Sequence, residues 1–165
     1  MIGSFVRDKD AVTASMLIAE MAAWYAGQGM TLYDAMQKLY EKYGQYGEKT
    51  MNLVMPGLDG IAKMRDLMAN LRKNPPAEIA GVKVVVRRDY EDGVETDVLT
   101  GKTAQIELSG SNVLRFGTED GTVVIVRPSG TEPKVKVYIL ASGETRAVCE
   151  EKVKKYSAWA DTLAK

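Results

Sequence analysis

The stretch "VVIVRPSGTEPKVKVYIL", Val123 to Leu140, holds two apolar runs of strand character separated by the eight residues Arg127 to Lys134. In the second run Val135, Val137 and Ile139 alternate with Lys134, Lys136 and Tyr138. A period of two puts the first set on one face and the second on the other, so one face of the sheet meets water or a ligand. Asn-Gly alone can join two such strands. This chain instead places an arginine, a serine, a glycine, a threonine and two prolines between them.

Outward from the hairpin, "VKVVVRRDY" (82–90) and "NVLRFGT" (112–118) read as two further strands, the second turning at "EDG" into "TVVIVR" (122–127). Ahead of them Ile61, Met64, Leu67, Met68 and Leu71 recur at helical spacing from Asp59 until "NPP" (74–76) stops the run. From Gly143 to Ala164 the spacing of Cys149, Val153, Tyr156, Ala160 and Leu163 predicts a last helix, suited to packing across the sheet. Helix, four strands, helix is the order of an α+β domain with an antiparallel sheet.

The front of the chain differs in character. "DAVTASMLIAEMAAWYAGQG" (10–29) predicts a helix so apolar that it needs cover on most sides, ended by Gly27 and Gly29. A second helix is expected from Thr31, its N-cap, to Tyr43, with Leu32, Ala35, Met36, Leu39 and Tyr40 on one stripe. Two such helices need a sheet or more helices that this chain does not supply. Residues 44–60 are glycine-rich without a sustained period and read as a connector. The expected organisation is thus 1–45 helical, 46–60 connecting and 61–165 the α+β domain.

Composition narrows the chemistry. The 165 residues carry 22 basic and 22 acidic side chains, so no net field draws the chain to nucleic acid or an anionic membrane. A single cysteine, Cys149, excludes an internal disulfide framework and fits a reducing cytoplasm. There is no histidine, which removes every imidazole triad and the commonest zinc ligand. No apolar run reaches membrane-spanning length.

Within the loop, Arg127 offers a bidentate fork and Ser129 and Thr131 offer hydroxyls. Gly130 permits positive φ and close backbone approach, and Pro128 and Pro133 fix φ on either side, which lowers the ordering cost when a ligand arrives. Such a set suits a dianionic phosphate. Glu132 would repel one, so it is expected to turn away and orient an arginine or a backbone amide. The same residue types also suit a plain hairpin whose hydroxyls cap their own backbone.

"VRPSGTEPKVKVYI" closely resembles the phosphate-binding loop of the α-D-phosphohexomutases, the phosphoglucomutases and phosphomannomutases. "GSFVRDKDAVTASMLIAEMAAWY" (3–25) resembles the segment after the sugar-binding motif of the family's third domain. The resemblance covers essentially this whole chain but only the last part of a four-domain family member. It implies a C-terminal fragment: the helices ending an α/β third domain, then a TATA-binding-protein-like fourth domain with a four-stranded antiparallel sheet.

The mechanism so implied runs in the full-length protein. A phosphoserine of the first domain gives its phosphoryl group to a sugar phosphate, the resulting bisphosphate reorients, and the other phosphate returns to the serine. Magnesium on an aspartate loop of the second domain assists, while the protein positions groups and neutralises charge. The resemblance places Arg127, Ser129, Gly130 and Thr131 on the substrate phosphate. Implied ligands are glucose 1-phosphate, glucose 6-phosphate and glucose 1,6-bisphosphate, with mannose or pentose phosphates as alternatives. The implied partners are the absent domains 1–3, and no metal or cofactor site is expected in this chain.

Lys9, in "RDKDAV", matches a lysine that phosphoglucomutases hold near substrate, proposed as general acid or base. Flanking Asp8 and Asp10 oppose the depressed pKa that such work needs. A contact to phosphate asks less, a solvated lysine beside a capping aspartate less again, and Arg7 is a further possible phosphate contact. "VTASM" (12–16) begins like the family's nucleophile motif, but no histidine follows and it lies in an apolar helix. The two carboxylates of "DKD" do not face each other, so it is no magnesium site. The chain alone is therefore expected to lack mutase activity. A reading of another class is an interaction or oligomerisation domain whose loop binds nothing.

Overall fold

A computed structural model of the protein describes residues 8–164. They form two compact units, one up to Gly44 and one from Gln45 onward. Arg7 lies outside the described residues.

In the first unit α1 (Ala11–Ala26) starts at Asp10, whose carboxylate accepts from the N–H groups of Val12 (3.0 Å) and Thr13 (3.2 Å). After the turn at Gly29, α2 (Leu32–Tyr43) opens with a reciprocal cap. Asp34 N–H donates to Thr31 Oγ1 (3.2 Å) and Thr31 N–H to Asp34 Oδ2 (2.8 Å). Both helices stand where the periodicity put them. Of their residues only Ala35 is buried, and Val12, Met16 and Trp24 remain 71, 70 and 63% exposed.

The second unit has the expected α+β character, with every strand pair antiparallel. Its elements are β1 (Gln45–Val54), α3 (Gly60–Lys73), β2 (Glu78–Ile79), β3 (Val82–Asp89), β4 (Val94–Asp97), β5 (Thr103–Gln105), β6 (Leu114–Thr118), β7 (Val123–Pro128), β8 (Lys134–Gly143) and α4 (Arg146–Thr162). The sheet runs β1-β8-β7-β6-β3-β4-β5, with β2 paired to the start of β3.

Two expectations are corrected here. The four strands read from sequence are β3, β6, β7 and β8, but the sheet has eight strands, because β2, β4 and β5 are short and lack apolar runs. Residues 46–60 are no mere connector either, since β1 pairs with β8 in register from Gln45↔Gly143 to Val54↔Lys134. Gly47, which reads as a breaker, is a packing device. A Cβ there would lie 3.1 Å from Cys149 Cβ and 3.2 Å from Val153 Cγ2, so glycine lets α4 settle close to the strand.

One face of the sheet forms the core. Phe116, Val124, Val126, Val135, Val137 and Ile139 are wholly buried, under Met68 and Leu71 of α3 and Tyr156 and Ala160 of α4. At one end, the turn from Thr118 to Thr122 is tied to α4. Asp120 Oδ1 accepts from Thr118 Oγ1 (2.8 Å), Thr122 N–H (3.0 Å) and Tyr156 OH (3.0 Å). Lys152 Nζ donates to the carbonyls of Asp120 (2.6 Å) and Ser142 (2.9 Å). With that end fixed, the hairpin loop between β7 and β8 projects from the opposite end.

Candidate functional site

The loop is held at both feet. Ser129 N–H donates to Lys134 O (2.9 Å), which closes the hairpin. The carbonyl of Pro133 accepts from Met55 N–H (2.8 Å), just past β1, and Met55 is a core residue. At the start of α3, a Cβ on Gly60 would lie 2.1 Å from Met55 O and 3.0 Å from Pro133 Cβ. Glycine at 60 is therefore what lets the helix meet the loop's outgoing leg.

Inside the loop the backbone turns in on one atom. Ser129 Oγ accepts from Glu132 N–H (3.3 Å) and, at the limit of a hydrogen bond, from Thr131 N–H (3.5 Å). Both bonds are long and weak, and a charged oxygen competes well for such donors. Gly130 does not use the positive φ open to glycine, and a Cβ there would meet nothing within 4 Å. Neither backbone nor packing requires glycine at 130 in this state.

Glu132 was expected to orient an arginine or a backbone amide, but its partner is neither. It pairs with Lys134 Nζ at 2.5 Å, and its carbonyl accepts from Lys134 N–H (2.8 Å). The hydrogen bond and charge of Lys134, with the charge of Lys136 adding, hold its carboxyl below the usual range. At neutral pH the acid and Lys134 thus cancel locally.

Arg127, Gly130 and Thr131 are exposed and Ser129 is half-buried. The Arg127 side chain makes no hydrogen bond or ion pair among the described residues, and its cross-strand partner is a second cation, Lys136. Sequence alone does not disclose that pairing. Arg127 and Lys136 are nine residues apart, and only the register reveals them as opposed; the cue available was their position on the polar faces of two predicted strands.

Lys9 belongs to the first unit. Its Nζ pairs with Asp8 Oδ1 at 2.9 Å with both side chains almost wholly exposed, and neighbouring Asp10 is the helix cap. Ser15 of "VTASM" lies inside α1 and donates to Ala11 O (2.7 Å). Among the described residues no group of three or more His, Cys, Asp or Glu converges in a way that could hold a metal ion. No helix among them is long and apolar enough to cross a membrane.

Comparison with known proteins gives a consistent result. The model of the phosphoglucomutase/phosphomannomutase C-terminal domain matches residues 51–154. A phosphoglucomutase of Staphylococcus epidermidis is 33% identical over 149 residues, 90% of this chain and 27% of that protein. One from Staphylococcus aureus strain N315 is 38% identical over 135 residues, 82% of this chain and 24% of that protein. The chain thus spans about a quarter of the length of these relatives. Among solved structures, the open form of pp63/parafusin, a phosphoglucomutase from Paramecium, aligns with 97% of this chain and 28% of its own at a TM-score of 0.54 and 16% identity, a likeness of fold.

Proposed function

The chain belongs to the phosphoglucomutase/phosphomannomutase family, and on that premise we propose that it is the substrate-phosphate-binding part of a sugar-phosphate mutase that interconverts hexose 1-phosphate and hexose 6-phosphate through a bisphosphate. The observation that carries this reading is the charge balance of the loop: Lys134 pairs with its one acid, Glu132, which leaves Arg127 and Lys136, opposed across the two strands, as surplus positive charge. Like charges directly opposite on neighbouring strands are unfavourable. A dianionic phosphate between them converts that repulsion into attraction.

In this reading Arg127 grips the phosphate through its fork, Ser129 and Thr131 donate hydroxyls, and the amides of Thr131 and Glu132 exchange Ser129 Oγ for a phosphate oxygen. Gly130 lets the ligand approach the backbone. The phosphoserine and magnesium belong to the full-length parent, so this chain alone is inactive. Lys9 serves at most as a contact to phosphate or sugar. The apolar surface of α1, left open here, meets the absent domains. Glucose phosphates are the proposed substrates; the loop does not distinguish them from mannose or pentose phosphates, which differ away from the phosphate.

The test is an amide-resolved NMR titration with glucose 1,6-bisphosphate. Signals of Ser129 to Thr131 shift saturably, and Arg127→Ala removes the shift. A stable dimer with no loop response to bisphosphate would favour the interaction-domain reading instead.

A further inference from the structure

The helix-bearing face of the sheet is not covered evenly. α4 packs on β1 and β8 and α3 on β8. Towards β3 and β4 a different cover takes over: the segment Pro75–Ala77, whose Ala77 carbonyl accepts from Val84 N–H (2.8 Å). Between that segment and the strands lies a cleft of about 220 Å³. Its lining includes Pro75, Pro76, Val84, Val98 and Phe116, and Val84 and Phe116 are themselves buried.

Into this apolar frame comes one charge, Arg87. It pairs with Phe116 on β6 and with Thr96 on β4, so it occupies a core-side position where an apolar residue is the norm. A bulge between Val84 and Val86 shifts the strand's register just before it. Neighbouring Arg72 is held by Asp89 and Glu91, and Arg88 by Glu95. Arg87 has no ion pair among the described residues, and the one hydrogen bond of its side chain there is long, from Nη2 to Thr96 Oγ1 at 3.4 Å. A charge on the apolar side of a sheet is unfavourable unless paired. Nor does it guard an edge, because β3 is flanked by β6 and β4.

We infer that this cleft binds a small organic monocarboxylate, its planar anionic group on the Arg87 fork and its apolar body between the two prolines and the floor of Val84 and Phe116. A single guanidinium matches a single negative charge in bidentate geometry. Inorganic phosphate, with more charge and four oxygens, would find too few donors among apolar walls. At about 30 Å³ per water-sized group the cleft holds about seven such groups, the size of one ring or a short branched chain. It is separate from the hairpin loop, which lies beyond the far end of β7 and presents Arg127 on the other face.

The probe is benzoate, compared with neutral benzamide and with inorganic phosphate, titrated into the isotope-labelled 165-residue chain. Benzoate shifts the amides of Val84, Thr96, Val98 and Gly101 saturably in the millimolar range or below, and benzamide leaves them in place. Arg87→Gln removes the response, whereas Arg127→Ala preserves it. Arg87→Lys, which keeps the charge and loses the fork, weakens binding about tenfold and serves as the deciding variant if Arg87→Gln does not fold. Equal responses to benzoate and benzamide overturn the proposal. So do shifts confined to Ser129–Thr131, a larger effect of phosphate on the same amides, or no saturable response.

Discussion

Arg127 and Lys136 face each other across β7 and β8, two cations in register on the sheet face opposite the core. Their mutual repulsion sets the first prediction. Removing either charge by Arg127→Ala or Lys136→Ala leaves stability within about 0.5 kcal/mol, since both sites lie away from the core, yet weakens bisphosphate binding. Denaturant unfolding and NMR titration of the same samples separate the two effects.

Gly130→Ala splits stability from binding in another way. With open space around the added methyl and no positive φ to accommodate, unfolding shifts by no more than about 0.5 kcal/mol. The methyl then stands where a ligand oxygen would approach the backbone. Bisphosphate affinity falls at least tenfold in the titration, and an unchanged affinity would show that the backbone at 130 is not part of the site.

At Gly60 the outcome is reversed. A Cβ 2.1 Å from Met55 O cannot be accommodated without moving α3 away from β1 and Pro133. Gly60→Ala costs about 2 kcal/mol or more in denaturant unfolding, and the amide signals around Pro133 shift even without ligand.

Asp120 gives a pH dependence. Burial pushes its carboxyl up, but the hydrogen bonds from Thr122, Thr118 and Tyr156 outweigh it and hold the folded value below the ordinary 3.8. The folded state therefore favours the ionised acid. Its contribution is complete above the unfolded value near pH 4 and is lost as pH falls through the lower folded value. Asp120→Asn makes the loss of stability shallower in that acid window and leaves the pH dependence above about 5 unchanged, as read from unfolding midpoints across pH.

Much of this architecture is legible in sequence because its inner elements obey one period. β3, β7 and β8 are rich in valine and isoleucine, β6 alternates Leu114 and Phe116 with polar Arg115, and both helices of the second unit carry apolar stripes. β1 escapes such a reading because it is an edge strand. It needs apolar side chains only where Met51 and Leu53 face the helices, and its Gly47 resembles a terminator until α4 is seen packed against it. The loop residues were legible one by one, but not their partners. That Lys134 quenches Glu132 depends on how the loop bends, and that Lys136 opposes Arg127 depends on register, a property of two strands together.

The junction at Gly44 bears on how this protein can be cut. Gly44 caps α2 and the next residue already belongs to β1, so no spacer exists in which to trim. A gene truncated to begin at Gln45 encodes the whole sheet. One begun sixteen codons later strips away the outermost strand and leaves the amide ladder of β8 bare from Lys134 to Gly143, a sticky margin prone to precipitate during expression.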